Sequence, residues 1–99
     1  MRPVPDLHLP LKPDAARKLA RQIVEHGTVE FSSHAIEEMQ KDDLESTDCI
    51  NLLRGGVFEP PELIHGELRY RVSTQRMCFV VMFRSNERLR VVTGWRNRR

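Results

Sequence analysis

The sequence predicts an α+β domain, with three N-terminal helices packed on one face of a C-terminal four-stranded antiparallel sheet. Three observations carry that prediction. Apolar residues recur at helical spacing up to about residue 55 and in alternation from Val57 onward, with Gly55-Gly56 between the two regimes. Helix start and stop signals fall in the first half of the chain. Short turn-forming stretches cut the second half into strand-length pieces.

Taken in order, residues 1–12 contain Pro3, Pro5 and Pro10, which a helix does not tolerate, and are expected to form an extended arm. A single domain then runs from 13 to 99. Pro13 and Asp14 suit the first turn of a first helix, Gly27 its end, and Ala16, Leu19, Ala20 and Ile23 make one apolar stripe. "TVEF", residues 28–31, reads as a short strand or an extended connector. Ser32 or Ser33 caps a second helix to about Gln40, with Ala35, Ile36 and Met39 toward the core. Ser46 or Thr47 caps a third, with Ile50, Leu52 and Leu53 inward. "VFEPPELI" reads as a first strand whose paired prolines belong at an edge or a bulge. The turns His65-Gly66, "TQR" and "SNE" separate it from "ELRYRVS", "MCFVVMFR" and "RLRVVTGW".

Ninety-nine residues make one domain with a single modest core. The longest apolar run, "MCFVVMF", is too short to cross a bilayer, and the first residues lack the apolar core of an export signal, so a cytoplasmic protein is expected. Cys49 and Cys78 lie in apolar contexts without metal-ligand or CxxC spacing and read as buried thiols. Charge is unevenly placed. Residues 1–67 hold 7 Lys/Arg against 13 Asp/Glu, whereas residues 68–99 hold 9 Arg, no Lys and one acid, Glu87. Arginine offers a planar fork that grips phosphate or carboxylate through two bonds, so a pure-arginine block interleaved with Val, Phe, Tyr and Trp points to an oxyanion partner.

An antiparallel sheet can leave one face to solvent. Alternation in "ELRYRVS" puts Arg69 and Arg71 together on one face and Leu68, Tyr70 and Val72 on the other. Arg84, near the end of the third strand, is expected to join them in a phosphate-sized groove. In the last strand both alternating sets, Leu89/Val91/Thr93/Trp95 and Arg88/Arg90/Val92/Gly94, contain apolar residues, and alternation does not say which is buried. His34 opens the second helix with Glu38 four residues on. An imidazole beside a carboxylate suits proton transfer near neutral pH, and equally suits a helix-end histidine bonded to backbone. Glu59 and Glu62 flank the prolines and read as solvated. No P-loop, GxGxxG, nucleophile elbow or zinc pattern is present, and no cofactor or metal is expected.

The blocks "FSSHAIEEMQKDDL", "RYRV" and "VVTGWR", spread over residues 31–96, resemble the bacterial family known as domain of unknown function 4258. Members of that family look like toxins of type II toxin–antitoxin pairs, with a fold similar to RelE- and MqsR-type ribonucleases and an MqsA-like antitoxin as neighbour. The resemblance implies an RNA substrate, on or off the ribosome, and a cognate antitoxin as partner, with no membrane involved. The matching positions are His34, Glu38, Asp42, Arg69, Tyr70, Arg71, Thr93, Trp95 and Arg96. Broader members carry arginine where this chain has Glu38 and Asp42, which favours base or arginine-orienting roles there over a grip on phosphate.

Together these readings give an expected endoribonuclease that needs no metal. RNA carries its own nucleophile, the 2′-hydroxyl, so the protein need supply only a base, an acid and charge stabilisation. Glu38 or His34 is expected as base, His34 as the acid for the leaving 5′-oxygen, and Arg69 and Arg71 as the phosphate grip. Tyr70, Arg84, Thr93, Trp95 and Arg96 are expected to contact RNA. The alternative is a non-catalytic module whose arginine-rich face docks an acidic protein or a structured RNA.

Overall fold

The computed structural model describes residues 6–97. Three helices, α1 (Pro13–His26), α2 (Ser33–Lys41) and α3 (Ser46–Gly55), accompany six strands. These are β1 (Thr28–Phe31), β2 (Val57–Phe58), β3 (Glu62–Ile64), β4 (Glu67–Ser73), β5 (Met77–Ser85) and β6 (Arg88–Arg96). The α+β class and the three helices stand, but the four-stranded antiparallel sheet does not. The sheet has six strands and is mixed, in the order β1-β6-β5-β4-β2, with β3 also paired to β4.

Two local facts produce the difference. "TVEF" is a true strand, and it lies parallel to β6, Thr28 beside Arg88 through Phe31 beside Val91. "VFEPPELI" pairs with β4 at both ends but is broken by Pro60-Pro61, which lack the N–H groups a ladder needs. Val57 and Phe58 face Ser73 and Val72, the Glu59 N–H still donates to the Arg71 carbonyl at 3.0 Å, and pairing resumes with Glu62 opposite Arg69. His65 and Gly66 both have positive φ, 50° and 78°, the geometry of a tight two-residue hairpin turn between β3 and β4.

Helix ends follow local chemistry. The Ser32 hydroxyl accepts from the Ala35 N–H at 3.0 Å and caps α2. The cap of α3 is Glu45, one residue earlier than expected, its N–H donating to Asp48 Oδ2 at 2.8 Å. Gly27 ends α1 with its N–H on the Ile23 carbonyl at 2.7 Å. Its φ of −117° is ordinary; the glycine is needed because a Cβ there would collide with the Glu87 carbonyl of the β5–β6 turn.

The core lies between the sheet and the helices. Ala16, Leu19, Ala20 and Ile23 of α1 and Cys49, Leu52 and Leu53 of α3 meet Tyr70, Val72, Phe79, Val81, Phe83, Leu89 and Val91. The alternation in β4 and β5 therefore places Arg71, with Val80 across from it, on the opposite face. In β6 neither alternating set is buried throughout. Val81 pairs with Val91 but Val80 pairs with Thr93, so Val92 is an extra residue and the phase flips there. Leu89 and Val91 point inward before the bulge, Gly94 after it, and Thr93 and Trp95 are turned to the open face.

α2 takes over where β1 stops. Ser32 donates to the Val92 carbonyl through its hydroxyl at 3.0 Å and to the Val91 carbonyl through its N–H at 3.0 Å, so the chain continues beside β6. At the far end the Arg96 N–H donates to Asp42 Oδ2 at 2.7 Å. The helix thus covers the half of β6 that β1 leaves unpaired. No helix among the described residues is long and apolar enough to cross a membrane.

Candidate functional site

A cleft of about 230 Å³ lies on the open face of the sheet. Its lining includes Arg69 and Arg71 from β4, Val80 from β5, Val92, Thr93 and Trp95 from β6, and Glu59, Pro60, Glu62 and Ile64 from the β2–β3 edge. Residues opposed in an antiparallel ladder point the same way, which explains the grouping. Glu59 lies against Arg71, Arg71 across from Val80, and Val80 across from Thr93. Glu62 lies opposite Arg69. The β6 bulge then swings Trp95 to this face, opposite Cys78.

The charged groups here are unevenly engaged. Arg71 is exposed, and its guanidinium carbon lies 6.0 Å from the centre of the Trp95 ring, the outer limit of a cation–π contact. Arg69 is half-buried, with Nη2 3.3 Å from Glu67 Oε1 and a buried Nε that no described protein group accepts from. Neither the Glu59 nor the Glu62 carboxylate forms a hydrogen bond or ion pair with any described residue. A buried donor without a partner costs about 1–3 kcal/mol, so the Arg69 Nε–H is a standing demand for an acceptor. The field of the site reaches Cys78: burial pushes its thiol up, Arg71 pulls it down and Glu59 raises it.

The structure brings together four of the residues expected from sequence, Arg69, Arg71, Thr93 and Trp95. It places the others elsewhere. His34 and Glu38 sit on α2, with Nε2 and Oε1 3.9 Å apart, and Glu38 also reaches Lys41 Nζ at 3.2 Å. Neither lines the cleft, though α2 flanks its β6 side. Tyr70 is on the opposite face, 2% exposed, in edge contact with Phe83, and its hydroxyl accepts from the Leu11 N–H at 2.9 Å. That bond ties the described part of the arm, residues 6–12, to the core; residues 1–5 lie outside the described residues. Arg84 lines two other hollows at the far end of the sheet, one beside Asp6, His8 and Glu67, the other beside His26 and Arg88. Arg96 donates through Nε to the Asp42 carbonyl at 2.7 Å and through Nη2 to the Asp43 carbonyl at 3.1 Å. Those carbonyls end α2, where Asp43 adopts a φ of 55°, so Arg96 fastens the helix to the strand. Arg98 and Arg99 lie outside the described residues.

Glu59 and Glu62, read from sequence as solvated, are exposed and also line the cleft, a role the sequence reading did not give them. The available signal was the proline pair, which marks an edge strand lying beside the arginine strand and so puts flanking acids across from arginines. Among the described residues no three His, Cys, Asp or Glu side chains are grouped as metal ligands. What the cleft offers is a pair of guanidinium groups, one aromatic ring and two carboxylates, which suits a ligand with an anionic group next to a flat ring. Comparison with protein-family models, with curated proteins and with solved structures returns no match.

Proposed function

We propose that the protein is an endoribonuclease, the toxin of a type II toxin–antitoxin pair, acting in the cytoplasm on mRNA at the Arg69–Arg71–Trp95 cleft. The observation that carries this reading is the convergence of two arginines and the single tryptophan on the solvent-facing side of the sheet. Arg69 and Arg71 hold the scissile phosphate and stabilise the charge that builds on its oxygens, an effect worth about 3–4 kcal/mol per well-placed donor. A base stacks at Trp95, as single-stranded RNA does on aromatic side chains. The motif resemblance to toxins described above supports the same reading.

Cleavage through the 2′-hydroxyl needs one group to take its proton and another to protonate the leaving 5′-oxygen. His34 is assigned to the leaving oxygen. It stands outside the cleft lining, at the start of α2 beyond β6, with its Nε2 3.9 Å from Glu38 Oε1, and would have to reach the leaving oxygen across β6. The cognate antitoxin would cover the arginine face with acidic groups and keep RNA out.

A second reading, a docking module without catalysis, draws support from two observations: among the described residues no histidine lines the cleft, and Arg69 already has an acidic partner in Glu67. Induction in a bacterial host separates the two. The ribonuclease reading expects growth arrest with RNA cleavage, lost in both Arg69→Ala and His34→Ala while the folded proteins are still made. Healthy growth and intact RNA with well-expressed wild type would leave the docking module.

A further inference from the structure

Resting on the ribonuclease reading, we propose that Glu59 is the general base that takes the 2′-hydroxyl proton, and that RNA crosses the sheet with its 5′ nucleotide over the β2–β3 edge and its 3′ nucleotide toward Trp95.

Glu59 is held in place from both sides. Its N–H donates to the Arg71 carbonyl at 3.0 Å, and the next two residues are prolines, whose φ is locked. Its side chain lines the cleft and forms no hydrogen bond or ion pair with any described residue, and its charge, like that of Arg71, is felt at the Cys78 thiol. Glu62 is the rival. It stands across from Arg69, whose guanidinium is already bonded to Glu67, whereas the Arg71 guanidinium forms no hydrogen bond or ion pair with any described residue and lies 6.0 Å from the centre of the Trp95 ring. A phosphate drawn to Arg71 therefore has Glu59 as its nearest carboxylate across the ladder.

Strand order fixes the polarity. Moving across the cleft one meets Glu59, Arg71, Val80 and Thr93, with α2 beyond β6. Displacement at phosphorus aligns the attacking and leaving oxygens on opposite sides of the phosphorus. With the phosphate at Arg71 and the base at Glu59, the attacking 2′-oxygen is on the β2 side and the leaving 5′-oxygen faces β6 and α2, where His34 stands. In the step, the Glu59 carboxylate accepts the 2′-hydroxyl proton and the 2′-oxygen forms a bond to phosphorus. The bond from phosphorus to the 5′-oxygen breaks, and that oxygen takes a proton from the His34 imidazolium. The products are a 2′,3′-cyclic phosphate and a 5′-hydroxyl, and Glu59 returns its proton to solvent as His34 regains one.

The test uses full-length protein, end-labelled RNA for cleavage, and 2′-O-methyl RNA of the same sequence, which binds without being cut. Glu59→Gln is expected to slow cleavage by about 10²–10⁴-fold, the usual contribution of a general base, with affinity for 2′-O-methyl RNA and thermal melting preserved. Glu59→Asp is expected to keep part of the activity. A 2-aminopurine placed 3′ of the cut should be quenched by Trp95, and one placed 5′ should not. Cleavage by Glu59→Gln within about tenfold of wild type, or a large loss in Glu62→Gln but not Glu59→Gln, would overturn the assignment while leaving the ribonuclease reading intact. Quenching on the 5′ side alone would overturn the polarity. Wild type that binds and cuts no RNA would overturn the ribonuclease reading, and this proposal with it.

Discussion

Gly94→Ala asks whether the β6 bulge lies where the structure puts it. With unbroken alternation Gly94 would share the open face with Arg90 and Val92, and one added methyl would be harmless. With the extra residue at Val92, Gly94 instead points into the core against Phe79, which is 0% exposed. A Cβ there would stand 3.2 Å from Phe79 Cγ and closer still to Cδ2 and Cε2. Carbon pairs settle at about 3.5–4.0 Å, so the ring must move, and it is enclosed by packed neighbours. Overpacking of this kind costs about 1–3 kcal/mol, and contact with several ring carbons at once puts this case near 3. For a domain of this length that lowers Tm by roughly 12–24 °C, at about 4–8 °C per kcal/mol. Gly55→Ala is the matched control: a Cβ there meets nothing within 4 Å, and helix propensity favours alanine by up to about 1 kcal/mol. Circular dichroism melts of both variants provide the reading. A fall of less than about 2 °C for Gly94→Ala would refute the register shift, and with it the turning of Trp95 to the cleft.

Three further outcomes follow from the same contacts. Arg71→Ala should weaken RNA binding about tenfold and lower the salt dependence by about one phosphate contact, measured by anisotropy at several salt concentrations; an unchanged salt slope would remove Arg71 from the phosphate. Arg96→Ala deletes two hydrogen bonds to the carbonyls that end α2 and should cost about 1–2 kcal/mol in urea unfolding, and a neutral result would mean the fastening is unimportant. Burial pushes the Cys49 thiol up to about 12, with Asp48 adding to the effect. A thiol that keeps its proton longer when folded makes stability fall as pH rises above its ordinary value of 9.0, at up to about 1.4 kcal/mol per pH unit until the folded value is reached. Cys49→Ala should flatten that alkaline loss of stability, and an unchanged slope would contradict the burial.

Much of the architecture was legible because it follows from local periodicity. The helical stripe of α1, the serine cap of α2 and the two faces of β4 all come from spacing within one segment. The sheet order was not legible in this way. "TVEF" is too short for its pattern to reveal a parallel partner 60 residues away, and a bulge such as Val92 leaves no mark in composition. That single extra residue decides which side Trp95 faces, so the site depended on a feature that alternation passes over. Arg96 shows the same limit from the other direction: as one arginine in a basic tail it read as a phosphate contact, whereas its guanidinium meets the carbonyls that end α2. Glu59 became visible only when the proline pair placed it across from Arg71.

Trp95, the single tryptophan, reports directly on whether the Arg69–Arg71–Trp95 cleft receives RNA, as proposed. Titrating the protein with short single-stranded 2′-O-methyl RNA should quench Trp95 fluorescence saturably, and Arg71→Ala should require a higher RNA concentration at the same salt. Tryptophan fluorescence that stays unchanged while RNA binding is detected by anisotropy would put the RNA elsewhere and overturn the proposed site.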